Sequence, residues 1–556
     1  MGRLLRISVQ IAIAAAIAAI PTAAYANTIT VNSTADVVAN DGQCTFREAI
    51  IAANTNTASG GTAGECAAGA AGLDTIAFNI AGAGVHTIAP SGTALPTLTE
   101  PVTIDGYTQP GASPNTAAFP AALNTVLLVE LNLAGVGELS FDAPGSTVRG
   151  LVLNRGVDNI LVNANNTTIR GNFIGTDPTG TIARPNIVGG FSIRINGSRT
   201  GTTIGGPNPA DRNLLSGDTQ GAFIELGATG TLIQGNFIGS DKTGTIALTV
   251  NGIGIDNASD MMILNNLVSG NGQGGIDIST GSGNVVVQGN LIGTQANGTG
   301  PLPNGNFGGI YITSGNNTIG GTGAGQPNTI AFNNGFGVIP NGGTDNFISG
   351  NSIYGNTFLG ISYGIKATAF PNDNCDLDTG PNNLQNSPVI TSAVIAGGNV
   401  TISGTLNSTA SADFRLEFFS NTACDPSGNG QGQTFLGSAN VTTPVGNCNV
   451  SFGPVTFPVP PGQTIFTATA TELPFNTSEF SACFPLGVVL TPTPTPTGTV
   501  TASPTPTNTP VGAATPTPTP AVTQPGAVVP TLSPGMLLLL GAILASVALL
   551  LIRRSG

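Results

Sequence analysis

Three passages of this chain are near copies of one another: Arg170-Gly-Asn-Phe-Ile-Gly-Thr-Asp177, Gln234-Gly-Asn-Phe-Ile-Gly-Ser-Asp241 and Gln288-Gly-Asn-Leu-Ile-Gly-Thr294. Self-similarity of this kind marks a stacked architecture, in which each repeat buries its apolar face against its neighbours. Short Gly-Ile starts recur with them, at Gly254-Ile-Asp256, Gly275-Ile-Asp-Ile278, Gly309-Ile-Tyr-Ile312, Gly337-Val-Ile339 and Gly360-Ile-Ser362. Their tightest spacing, 21 residues, suits one coil of a parallel β-helix. Each coil then has three short strands broken at turns, and coils stack about 4.8 Å apart. Asn172, Asn236, Asn290 and Asn351 fall at equivalent turns. They are expected to take left-handed geometry and to hydrogen-bond along the stack. A leucine-rich repeat is excluded for want of regular leucines.

The two ends speak to compartment. Arg3 and Arg6 precede an apolar run from Ile7 to Ile20, and Ala24-Tyr25-Ala26 follows. This is the layout of a secretory signal peptide (1–26) cleaved after Ala26. At the other end Gly535 to Ile552 is uncharged and is followed by Arg553-Arg554. Its 18 residues make a helix of about 27 Å, enough to cross the hydrocarbon core with the body outside the cytoplasm. A net charge of -13 excludes nucleic acid and anionic membrane surfaces, which select basic patches. Six cysteines in an exported chain read as disulfides. Proximity in sequence favours Cys44–Cys66 and Cys424–Cys448, leaving Cys375–Cys483, one of fifteen possible patterns. Zinc is excluded, since there is no Cys-x-x-Cys and His86 is the only histidine.

Between these ends the chain divides by composition. Residues 27–111 form an N-terminal module capping the solenoid, with strands at Thr28–Asn32 and Asp74–Phe78 and an amphipathic helix over Thr45–Asn54. Its Asp41-Gly-Gln-Cys-Thr-Phe-Arg-Glu-Ala-Ile50, Asp74-Thr-Ile-Ala-Phe78, Leu95-Pro-Thr-Leu-Thr99 and Val102-Thr-Ile-Asp-Gly106 resemble the CSLREAI domain of bacterial surface proteins, with Thr45-Phe46 in place of Ser-Leu. Residues 112–372 are the repeat body, which resembles the right-handed pectate-lyase-like β-helix group. A junction loop, 373–386, leads to alternating segments over 387–486 that read as an immunoglobulin-like β-sandwich. Residues 487–528 are a Thr/Pro-rich, disordered stalk, and its 36 residues from Thr491 to Gly526 span about 110 Å as polyproline II. Val529-Pro-Thr-Leu-Ser533, the apolar helix 535–552 and Arg553-Arg554 resemble the IPTL-CTERM sorting signal of Gram-negative bacteria. That resemblance implies recognition of 529–556 by surface-sorting machinery and a membrane helix that is retained or cleaved.

The catalytic inventory is thin. Asp256 and Asp277 both follow Gly-Ile, so stacked coils are expected to place one carboxylate above the other. Such a pair serves acid–base work or shares a divalent cation; the alternative is two separate turn-capping aspartates. Asp177 and Asp241 read as loop-forming residues. Arg194, Arg199 and Arg212 are available as basic partners, but no spacing singles one out. Asp373, Asp376 and Asp378 concentrate oxygen ligands at the junction, where Ca²⁺ would stiffen it. Arg47 and Glu48 read as a buried pair or a helix cap, and His86 as incidental. No tryptophan is present, so ring platforms for sugars are scarce. The expectation is an exported surface protein with an adhesion, matrix or scaffold role toward a polysaccharide or protein ligand, with no catalytic activity and no required cofactor. The alternative is a surface polysaccharide lyase or glycoside hydrolase using Asp256 and Asp277.

Overall fold

The computed structural model describes residues 26–487, apart from 135, 188–189, 219, 225–226 and 249–250. The signal peptide, the stalk, the apolar helix 535–552 and the sorting signal lie outside these residues. Among the described residues no helix is long and apolar enough to cross a membrane.

Isoleucine and valine recur once per strand, and the fold stacks them. Three parallel sheets, of eleven, ten and eight described strands, wrap one interior. On the eleven-stranded sheet Ile104, Val148, Ile169, Ile204, Ile233, Ile263, Val287, Ile319 and Ile348 lie in register from coil to coil. All are buried, and burial of each such side chain contributes about 2 kcal/mol. The ten-stranded sheet supplies Leu153, Ile174, Leu215, Ile238, Val268, Ile292, Ile330 and Ile353 in the same way. No coil holds a core alone; the column does.

The asparagines run down a common edge, as the repeats imply, but the column is longer than they show. Asn172, Asn213, Asn236, Asn266, Asn290, Asn328 and Asn351 are each fully or almost fully buried. In every consecutive pair the earlier asparagine donates both its backbone N–H and its Nδ2 to the next one's Oδ1. Their backbones are not left-handed. At five of the seven the preceding residue turns the corner instead, as at Gly171 (φ 66°), Gly235 (φ 76°) and Asn265 (φ 53°), while Arg212 and Pro327 stay extended or ring-fixed. That division of labour frees the asparagine amide to point inward and pair. A second column runs Asn271, Asn304, Asn333, Asn356, and a third runs from Asn317 to Asn346.

Both ends of the solenoid are closed. Thr28–Val31, Asp74–Phe78 and Val102–Asp105 are the first three rungs of the eleven-stranded sheet, so the sheet runs past residue 111 without a break. The helix Phe46–Thr55, inserted between the first two rungs, buries Phe46, Ala49, Ile50 and Ala53. Glu48 completes a capping box with Thr45. Arg47 does not pair with Glu48; it bonds Asp36 (2.9 Å) and the carbonyls of Thr93 and Ala94, pinning that loop. At the other end two antiparallel sheets close on one core. One contains Val389–Ala396, Asn399–Asn407 and Asn449–Pro458; the other contains Asp413–Asn421, Thr434–Thr442, Ile465–Glu472, Asn476–Thr477 and Phe484–Pro485. The sandwich and the junction loop before it finish the two shorter ladders: Gln431 Oε1 accepts from Asn356, and Asn382 Oδ1 accepts from the Asn346 N–H. Glu417 accepts from Ser349 Oγ and the Gly350 N–H, while Phe419 and Phe480 join the solenoid core.

Sheet pairing also sets the disulfides. Cys44–Cys66 forms as expected, but the other two bonds are Cys375–Cys448 and Cys424–Cys483. Asn407 pairs with Asn449 across the first sandwich sheet and accepts a bond from the Cys375 N–H, which brings the junction loop to Cys448. The loop after Asp413–Asn421 returns along 482–483, where Cys483 N–H bonds the Gly428 carbonyl, and so meets Cys424. Nearness in the sheet overrides nearness in sequence.

Candidate functional site

The eight-stranded sheet carries the concave feature with the most chemistry. Its strands Asn251–Ile255, Gly274–Ile278 and Gly308–Ile312 are neighbours, with Ile253, Ile276 and Ile310 stacked inward. Alternation then turns Gly254, Asp277 and Tyr311 outward, and these three are in register. A cleft of about 110 Å³ lies there, floored by Gly252, Gly274 and Gly308 and walled by Asn251, Gln273, Asp277, Phe307 and Tyr311. Gly252 and Gly308 let the neighbouring coils pack close, since a Cβ there would meet the Gly275 and Phe336 carbonyls.

The walls combine two rings and one acid. Phe307 and Tyr311 have centroids 5.3 Å apart, and the Tyr311 hydroxyl accepts from Asn341 Nδ2 at 2.7 Å, which fixes the ring. Burial pushes the Tyr311 phenol up. Asp277 is an exposed residue, yet the flanking coils displace part of the water around its carboxyl. That desolvation, opposed by Ser279 and reinforced by the charge of Asp256, pushes it up to about 6.

Asp256 is not directly above Asp277. Gly254 pairs with Asp277 and Ile255 with Ile278, so Asp256 lies two residues further along the neighbouring coil, opposite Ser279. The doubled Gly252-Ile-Gly-Ile255 explains the shift, because its first Gly-Ile, not its second, matches Gly275-Ile276. With about 4.8 Å between coils and about 3.3 Å per residue, the two Cα atoms are about 8 Å apart.

The basic candidates lie elsewhere. Arg194 stands in the same outward column as Asp277 but three rungs away, beside Asp158 at 3.7 Å. Arg199 sits in the turn after the strand Phe191–Ile195, and Arg212 is buried at another corner. His86 pairs its strand with Val129 at the edge of the ten-stranded sheet, away from the cleft. Asp177 and Asp241 are loop-formers: each Oδ1 accepts two backbone N–H groups, from Thr181 and Ile182 or from Thr245 and Ile246. Tyr311 and Phe307 went unread as site residues. Their signal was present, since Gly309-Ile-Tyr-Ile312 copies Gly275-Ile-Asp-Ile278 with a ring at the aspartate position.

At the junction, ligand oxygens of Asp373, Asp376 and Asp378 all lie within 4.8 Å of one another. Asp376 Oδ2 accepts from Ser408 Oγ at 2.5 Å and its Oδ1 from the Asn386 N–H at 3.1 Å, while Asp373 Oδ2 accepts from the Leu377 N–H at 3.0 Å. Asp378 Oδ1 is buried without a partner. Desolvation, with Asp378 and Asp373 adding their charges, pushes Asp376 up to about 6. An oxygen-only donor set with one orphaned carboxylate atom fits Ca²⁺.

No protein-family model matches the chain, so the CSLREAI and IPTL-CTERM resemblances rest on their own residues. No curated protein matches it either. Among solved structures, the enzymatically active domain of tailspike protein 2 from bacteriophage CBA120 is 12% identical, covering 75% of this chain and 72% of that one at a TM-score of 0.30. Pectate lyase Pel9A is 12% identical, covering 65% and 82% at a TM-score of 0.25. The parallel β-helix is established here by the strand register itself.

Proposed function

We propose that this chain is an exported β-helix protein that binds a neutral polysaccharide at the Asp277–Tyr311 cleft, in an adhesion or matrix role. The observation that carries the reading is the cleft's composition. Two rings offer faces for a sugar, and Asn251, Gln273 and Asp277 offer hydrogen bonds. The net charge of -13 and the carboxylate in the wall favour an uncharged glycan over a polyanion. Three disulfides fit an oxidising, extracellular compartment. The signal peptide, the stalk and the sorting signal at 529–556 complete a route to the surface of a Gram-negative cell, with sorting machinery and, through 535–552, the membrane as partners. Ca²⁺ at Asp373, Asp376 and Asp378 serves as a strut in this reading. The test is affinity electrophoresis of the mature protein through neutral and acidic polysaccharides. Retardation by a neutral glycan is expected to fall at least tenfold in Tyr311→Ala. Equal mobility of Tyr311→Ala and the parent in every glycan that retards the parent would refute the assignment.

A second reading is glycoside hydrolysis, favoured by the raised Asp277 carboxyl, which feels the charge of Asp256 on the neighbouring coil. In that reading Asp277 acts as acid and Asp256 as base for a water. It requires reducing-end release from the bound glycan that disappears in both Asp277→Asn and Asp256→Asn. Binding without release leaves the first reading alone.

A further inference from the structure

Among the described residues, the repeat body buries a cation that no carboxylate neutralises. Arg212 occupies a corner where other coils place a small residue, such as Gly171, Gly235 or Gly289, and is 2% exposed. Its Nε donates to the Gly235 carbonyl at 3.1 Å, and its Nη1 to the carbonyls of Ala117 and Ala121 at 2.9 Å each. The guanidinium lies over the Phe237 ring at 4.7 Å and near Phe119 at 5.7 Å. Its Nη2 has no hydrogen-bond partner, and among the described residues no acid pairs with the side chain. Burial pulls it down only to about 10, so the charge persists at neutral pH. Every other arginine placed in an ion pair here has its acid beside it, as Arg149 has Asp105 and Arg170 has Asp211.

A cavity of about 260 Å³ adjoins this cation. Phe119, Pro207 and Pro209 give it apolar walls, while Gln234 and Asn265 bring amides to it. It is separate from the Asp277 cleft, which lies on another sheet. A buried cation that has carbonyl dipoles but no counter-charge is stabilised most by an anion, and the apolar walls select one with a hydrophobic body. We propose that the Arg212 cavity binds a small organic carboxylate, its charge toward the guanidinium and its body against Phe119 and the two prolines.

Sodium benzoate is the probe, titrated calorimetrically into the mature protein, with benzyl alcohol as its neutral counterpart and inorganic phosphate as a bare anion. Benzoate is expected to bind at least tenfold more tightly than either control. Ala118 is exposed at the rim, so Ala118→Trp is expected to close the cavity and abolish the benzoate signal with an unchanged circular dichroism spectrum. Gln234→Leu is expected to weaken binding at least threefold. Arg212→Met also abolishes binding; where its loss unfolds the 112–124 loop, Ala118→Trp and Gln234→Leu decide. Absent benzoate heat, phosphate binding as tight as benzoate, or undiminished benzoate binding in Ala118→Trp overturns the proposal.

Discussion

Replacing Asn236 by leucine removes hydrogen bonds from the middle of the longest ladder while leaving side-chain volume nearly unchanged. Asn236 Oδ1 accepts from Asn213 N at 3.2 Å and Asn213 Nδ2 at 2.9 Å; its Nδ2 donates to Ile204 O, Gln234 O and Asn266 Oδ1 at 3.0, 3.1 and 3.0 Å. Some partners keep another bond: Asn213 Nδ2 still reaches Ile169 O, Gln234 O still accepts from Gly206 N, and Asn266 Oδ1 still accepts from Asn236 N. The Asn213 N–H keeps none of comparable geometry, in a site with no solvent access. An orphaned buried donor costs about 2 kcal/mol, and the bonds lost by partially satisfied groups add about 0.5 kcal/mol each. The sum is about 4 kcal/mol, or roughly a thousandfold in the opening equilibrium. Global unfolding of a solenoid is not reliably two-state, so the suitable assay is native-state hydrogen exchange at the Asn213 amide. Asn196→Ala is the control, because Asn196 makes its cross-coil bond at an exposed position and should cost under about 0.5 kcal/mol. Exchange at Asn213 accelerated less than about tenfold, or no more than in the control, refutes the claim that the ladder stabilises the stack.

Gln431 should latch the sandwich to the solenoid, since it bonds Asn356 through both amide atoms and reaches Phe358 O and Asp425. Gln431→Ala is expected to speed tryptic cleavage after exposed Lys366, read by gel, and an unchanged rate argues against the latch. Stability should fall as pH rises from about 5 to about 7.5, because Glu479 and Asp218 are pushed up to about 7 and Asp376 to about 6, chiefly by desolvation. The folded state therefore holds protons that the unfolded chain has released, and loses that advantage as pH climbs. Denaturant midpoints across this window check it, and Asp218→Asn should flatten the slope. Millimolar Ca²⁺ is expected to raise the melting midpoint by a few degrees, with no rise in Asp378→Asn; identical melts with and without the ion rule the junction site out.

What the chain reveals before folding depends on whether a residue acts within a coil or between coils. The β-helix was legible because isoleucine spacing and the Gly-Asn corners repeat in sequence, and a stacked core needs only that repetition. Three of the seven rungs were hidden: Asn213, Asn266 and Asn328 follow Arg212, Asn265 and Pro327, so no Gly-Asn pair flags them although each bonds as its neighbours do. The disulfides at Cys375 and Cys424 were misjudged for a related reason, as antiparallel pairing brings together residues 73 and 59 positions apart. The cleft shows the same limit most sharply. Coil lengths vary, so a shift by one Gly-Ile unit moved Asp256 off Asp277 and brought Gly254 to its side instead. Only register reveals that Tyr311 follows Asp277 in the column, and that column gives Asp277, picked out in sequence for a different partner, two rings as neighbours in the cleft wall. In a solenoid, then, site chemistry is written across coils, at positions whose alignment is settled by which isoleucines turn inward on each coil. A second protein of this architecture with the same Gly-Ile motifs but one residue added between Ile255 and Gly275 would still present Asp277 beside Gly254, since the inward isoleucines and not the loop length set the register.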